Sequence, residues 1–149
     1  MSEDAQIAYA SIVELFLLID DGDRRLLAEF GLTVPRYFAL QHIDKHPGLS
    51  PVQLSGLMLC DKSNITRLLK GLEKDGLVKR VPHEDDGRSF RLFLSDRGQK
   101  LSAAAAKTHQ DFNEKRFGFL NKIPWPVLET LQLLRARLAE QLQTAQLPD

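Results

Sequence analysis

Two helix starts in quick succession, at Ser50 and Asp61, constrain this chain more than any other feature in it. In Ser50-Pro51-Val52-Gln53 the serine hydroxyl can accept the Gln53 backbone N–H while the Gln53 side chain reaches back to Ser50, and Pro51 stands at the first helical position. The spacing predicts a short helix ending near Met58. Asp61 caps a second helix over 62–75, with Ile65, Leu68, Leu69 and Leu72 as its inward stripe and Gly76 as its left-handed stop. Two short helices separated by three or four residues have helix-turn-helix spacing.

The flanks complete the architecture. Apolar residues at Ile12, Phe16, Ile19, Leu26, Leu27 and Phe30 predict a long amphipathic helix over about 4–30, stopped by Gly31. Asp20-Asp21-Gly22 is expected to bend or loosen it, because an interior glycine costs about 1 kcal/mol relative to alanine. Thr33 caps the next helix, and His46-Pro47-Gly48 turns the chain. After the helix pair, 77–81 and 90–94 read as strands joined by a polar loop from Pro82 to Ser89. Ser95 caps an Ala-rich helix beginning at Asp96. A last helix begins around Pro124-Trp125-Pro126 and carries Leu128, Leu131, Leu134, Leu138 and Leu142. The predicted fold is mainly α with a small β-hairpin wing: one domain over 1–149, with a winged helix-turn-helix lobe at 32–99 between helical arms at 1–31 and 100–149.

Composition narrows the function classes. Lys and Arg total 20 against 20 Asp and Glu, so what matters is where the cations stand. Residues 1–30 hold seven acids against two bases, whereas 50–100 hold ten bases against seven acids. Within 62–75 the inward stripe leaves Lys62, Ser63, Asn64, Thr66, Arg67 and Lys70 facing outward, a set suited to base edges and phosphates. One cysteine, Cys60, excludes an internal disulfide and a four-Cys zinc site. No apolar run reaches the ~20 residues a bilayer requires, and the acidic N-terminus does not resemble a secretory signal. These features predict a soluble, cytoplasmic protein with no membrane partner. No nucleophile elbow, phosphate-cradling glycine loop or metal-spaced histidine set is present, so no enzyme is expected.

With these residues in view, positions 32–100 resemble the DNA-binding core of the MarR family of transcriptional regulators. The resemblance is carried by Leu54, Leu57, Asp61-Lys62-Ser63-Asn64-Ile65-Thr66-Arg67 and Leu72-Glu73-Lys74-Asp75-Gly76-Leu77-Val78. It continues through Asp86-Gly87-Arg88-Ser89 and Leu92-Phe93-Leu94-Ser95-Asp96-Arg97-Gly98. The resemblance implies a homodimeric repressor on double-stranded DNA, with 1–31 and 100–149 as dimerisation helices. It places helix 62–75 in the major groove of an inverted-repeat operator and the wing, 78–94, in the flanking minor groove. The residues it assigns to DNA are Ser50, Gln53, Lys62, Ser63, Asn64, Thr66, Arg67, Lys70, Arg80, Asp86, Arg88 and Ser89, with Asp86 orienting Arg88. Gly87 departs from the Arg or Lys many members carry there.

The resemblance also implies response to a small aromatic effector, for which Arg36 and Tyr37 could supply a cation and a hydroxyl. The run Phe112, Phe117, Phe119, Leu120, Ile123 and Trp125 reads as dimer core, with the wall of an effector pocket as its alternative. Redox-sensing members carry their cysteine in the first helix, where this chain has none, so Cys60 reads as a packed thiol. His42, His46, His83 and His109 lack metal spacing, and neither a metal nor a cofactor is expected. Two competing readings are a winged helix used for protein–protein interaction and a metal- or redox-sensing regulator.

Overall fold

The computed structural model describes residues 2–144 and runs as α1 (Glu3–Ala28), α2 (Val34–Lys45), α3 (Pro51–Met58), α4 (Lys62–Lys74), β1 (Val78–Pro82), β2 (Phe90–Leu94), α5 (Asp96–Phe117), a 3-10 segment Gly118–Lys122 and α6 (Val127–Thr144). The end of the expected C-terminal arm, 145–149, lies outside the described residues. The chain divides into two compact units, one through Gln110 and the other from Asp111 on. Among the described residues no helix is long and apolar enough to cross a membrane.

Local chemistry accounts for the helix boundaries. Ser2, Thr33, Ser50 and Asp61 each accept a backbone N–H three residues on, satisfying one of the orphan donors at a helix start. The reciprocal Ser50–Gln53 box is complete, with hydrogen bonds of 2.8 and 3.1 Å. Gly31 and Gly76 adopt φ of +66° and +68°, and Leu32 and Leu77 donate back to Leu27 and Leu72 at 3.0 and 2.9 Å, closing α1 and α4.

Asp20-Asp21-Gly22 does not interrupt α1, which is one unbroken helix of 26 residues. Arg24 and Arg25 reach back one turn to Asp20 and Asp21, each at 2.8 Å. Such pairs stabilise a helix by about 0.2–0.5 kcal/mol each, enough to offset much of the glycine's cost.

The first unit is built on Leu27, Leu40, Ile43, Leu54, Ile65, Leu69, Leu72 and Leu92, each almost fully buried. Burial of one such side chain contributes about 1.5–3 kcal/mol. At the C-terminal end of α1, Asp23 and Leu27 are buried, and Leu27 belongs to this core. β1 and β2 pair antiparallel, Val78 opposite Leu94 and Pro82 opposite Phe90. A third backbone segment joins them: Gly48 donates to Leu92 (2.8 Å) and Leu92 to Leu49 (2.9 Å). The start of α5 packs so closely on the turn between α4 and β1 that a Cβ on Gly98 would fall 2.0 Å from the Leu77 carbonyl oxygen.

Large apolar residues are exposed in each unit: Ile7, Phe16 and Leu18 on different sides of α1, and Leu128, Leu131, Leu138 and Leu142 along one face of α6. Apolar exposure on this scale marks an interaction surface.

Candidate nucleic-acid interface

The outward face of α4 carries Lys62, Ser63, Asn64, Thr66, Arg67 and Lys70, all exposed. Its polar groups are organised from the helix start. The Asp61 carboxylate accepts the Asn64 backbone N–H, the Ser63 hydroxyl and the Asn64 side-chain amide, each at 2.8 Å. The Asn64 N–H first, then the Ser63 hydroxyl, hold the Asp61 carboxyl below the usual carboxylate range. The Thr66 hydroxyl donates to the Lys62 carbonyl at 2.8 Å. The short polar side chains therefore fold back on the helix, while Lys62, Arg67 and Lys70 carry the positive charge outward.

In the wing, the Asp86 carboxylate accepts the backbone N–H of Arg88 at 3.0 Å, and the Ser89 N–H donates to the Asp86 carbonyl at 3.0 Å. A further bond from the His83 N–H to the Ser89 carbonyl (2.9 Å) closes the loop. Asp86 thus orders Arg88 through its backbone, whereas the resemblance implies that it orients the side chain. Arg80, also expected as a DNA contact, has partners within the chain. Its guanidinium donates to both oxygens of Glu73 at 3.0 Å and lies 5.0 Å from the Phe90 ring centre, bracketing the wing to α4.

Ser50, Gln53, Lys62, Arg88 and Ser89 come together as the lining of one groove, about 710 Å³, between the start of α3 and the wing. Among the described residues, no Asp or Glu lines it. Asn64, Thr66, Arg67 and Lys70 stand on the α4 face outside it.

Arg36 and Tyr37 do not converge. Arg36 is ion-paired with Asp75 and also donates to the Gly71 carbonyl, tying α2 to the end of α4. Buried Tyr37 points to α5, its hydroxyl 3.3 Å from His109 Nδ1, and His109 Nε2 lies 3.0 Å from the buried carboxylate of Asp23. Burial, and then the Asp23 charge, raise the Tyr37 hydroxyl above its ordinary value. This Asp23–His109–Tyr37 cluster joins α1, α5 and α2, and nothing in the spacing of the three residues reveals it. Cys60 is half-buried and packs against the core. Among the described residues no group of three His, Cys, Asp or Glu side chains could hold a metal ion.

Two residues that line the groove, His83 and Arg91, are not singled out by sequence reasoning. In the sequence His83 is a histidine without metal spacing, and Arg91 is only part of a strand. The one signal in the sequence is the density of cations around the loop.

The family model described as MarR family matches residues 32–90. The chain spans 40 to 60% of the length of the first curated relatives it matches, all transcriptional regulators. It is 30% identical over 90 residues to the transcriptional regulator HosA of Escherichia coli O157:H7, covering 60% of this chain and 67% of that protein. Among solved structures, AbsC, a MarR family transcriptional regulator from Streptomyces coelicolor, superposes with a TM-score of 0.83 at 22% identity, over 97% of this chain and 98% of that one. The transcriptional repressor CouR, solved on a 23-mer DNA duplex, superposes with a TM-score of 0.76 at 24% identity, over 93% and 96%.

Proposed function

The chain belongs to the MarR family, and from that premise we propose that it is a homodimeric regulator of transcription that binds an inverted-repeat operator in double-stranded DNA. The observation that carries this reading is the α4 face with Lys62, Arg67 and Lys70 outward, set beside a groove with cations and no carboxylate in its described walls. α4 is the element for the major groove, where its side chains meet base edges and phosphates. The wing, with Arg88 near its tip, suits a narrow minor groove, whose concentrated negative potential favours an inserted guanidinium. CouR, of the same fold, binds DNA as a repressor.

Dimerisation is supported by the exposed large apolar residues of α1 and by the apolar face of α6. A two-fold dimer presents two copies of α4 to half-sites spaced about one helical turn, roughly 10 bp centre to centre. The aromatic run at 112–125 has Phe119 and Trp125 exposed, in keeping with a place in that interface. The effector role of Arg36 and Tyr37 draws no support from the geometry, since each already has an intramolecular partner.

The test is a selection from random duplexes combined with sedimentation of the protein. The expected result is a two-fold symmetric consensus bound by a dimer. Recovery of only asymmetric sites, or a stable monomer at micromolar concentration, would overturn the reading.

A further inference from the structure

In the wall of the groove between α3 and the wing, each ring nitrogen of His83 lies beside a donor. A neutral imidazole has one N–H and one lone pair. His83 Nδ1 accepts the Asp85 backbone N–H at 3.2 Å, which leaves the proton on Nε2. Yet Arg91 Nη2, which can only donate, lies 3.3 Å from that same Nε2. The opposite tautomer merely transfers the conflict to the Asp85 N–H. Beside this pair, Arg91 Nε is buried and has no hydrogen-bond partner. Unsatisfied buried donors are uncommon in native proteins and call for an explanation. Lys62 and Arg88 line the same groove, and no described carboxylate does.

An anionic oxygen between His83 Nε2 and the Arg91 guanidinium resolves the conflict, accepting from both. We propose that this groove seats one backbone phosphate of the DNA, held by Arg91 and His83 at the junction between the α4 contact and the wing contact. The proposal rests on the DNA-binding reading and adds to it a phosphate-positioning pair that makes no base contact. An unbridged phosphodiester oxygen is such an acceptor, and its negative charge strengthens both hydrogen bonds. Such an interaction fixes register, and its removal weakens binding uniformly without altering sequence preference.

Arg91→Met keeps the apolar stem and removes the charge. His83→Asn keeps an acceptor for the Asp85 N–H and removes the outer donor. Lys107→Met, on the exposed surface of α5, is the charge-matched control. All are measured as full chains by fluorescence anisotropy on a mixed-sequence 30-bp duplex across a range of KCl concentrations, with folding checked by circular dichroism. Arg91→Met is expected to bind about tenfold more weakly, as for other charged hydrogen bonds. Its plot of log affinity against log salt should be shallower by about 0.9 for each phosphate that is no longer neutralised. His83→Asn should weaken binding by less, and Lys107→Met not at all. If the wild type binds duplex with a steep salt dependence while folded Arg91→Met and His83→Asn match Lys107→Met, the phosphate seat is overturned and the DNA-binding reading stands. Should Arg91→Met fail to fold, His83→Asn alone decides in the same way. If the wild type shows no salt-dependent duplex binding, the DNA-binding reading itself falls and takes the phosphate seat with it. Binding of inorganic phosphate that Arg91→Met abolishes, with duplex affinity unchanged, would identify a free-phosphate site and also overturn the proposal.

Discussion

Arg80 and Glu73 meet through two N–H···O hydrogen bonds, both 3.0 Å, that fasten β1 of the wing to the last turn of α4. The pair is the joint between the element proposed for the major groove and the one proposed for the minor groove. Both side chains are less than a third exposed, at 26% and 29%, so solvent screens them only in part. A double-mutant cycle with Glu73→Ala and Arg80→Ala should give a coupling of about 1 kcal/mol in chemical denaturation. Additive single effects would mean that the joint contributes nothing to stability.

Of two glycines in the lobe, one should be intolerant of substitution and the other indifferent to it. A Cβ on Gly98 would overlap the Leu77 carbonyl oxygen, whereas one on Gly87 meets nothing within 4 Å. Gly98→Ala must push α5 away from the α4–β1 turn and should cost about 1–3 kcal/mol, the range for overpacking. Gly87→Arg should leave stability unchanged and increase affinity for mixed-sequence duplex by adding a cation to the wing. Thermal melts of both variants, with duplex titration of the second, check this.

Leu59 closes α3 in the left-handed conformation, φ +49°, with its side chain 87% exposed. The residue gains little from burial there and bears the steric penalty of that conformation. Leu59→Gly should therefore stabilise the protein by about 1 kcal/mol. A fall in stability would show that the turn draws on an interaction of the leucine side chain.

Acid should weaken the helix pair in a defined direction. Asp61, through the Asn64 N–H, and Asp75, through its Arg36 hydrogen bond, both titrate below their ordinary value of 3.8. A carboxyl lowered in the folded state contributes stability that is present above the unfolded value and is lost as pH falls through the folded one. Denaturation curves should thus show stability falling below about pH 4. Arg36→Ala should be less stable at neutral pH and should show a shallower decline in acid, because Asp75 then titrates nearer its ordinary value. An unchanged acid slope in that variant would rule out Asp75 as a source of the acid sensitivity.

What is legible in the sequence is what is local. The caps at Ser50 and Asp61 and the stop at Gly76 use partners three to five residues away, so their residue types and spacing reveal them. The outward face of α4 follows from helical period alone. Satisfaction of side chains is not legible in the same way. A cation such as Arg80 looks the same whether it faces solvent or Glu73, and only the turn of β1 back onto α4 at Gly76 brings the two together. Arg36 resembles a ligand contact for the same reason, its partner Asp75 lying at the end of another helix. Asp23 and His109 meet across the whole lobe, a distance in sequence that no periodicity spans. The Asp20-Asp21-Gly22 segment misleads in the opposite sense: the cost of its glycine is conspicuous, and the two ion pairs one turn on that offset it are not.

The central claim is that α4 reads sequence in the major groove and the wing anchors in the minor groove without discriminating bases. Its most direct test is the affinity of wild type, Arg67→Ala and Arg88→Ala, at one fixed salt concentration, for a selected operator and for the same operator with one base pair changed in a half-site. Arg67→Ala is predicted to narrow the gap between the two duplexes by about 1–3 kcal/mol. Arg88→Ala should weaken both equally and leave the gap intact. Folded variants that both bind as the wild type does would contradict it.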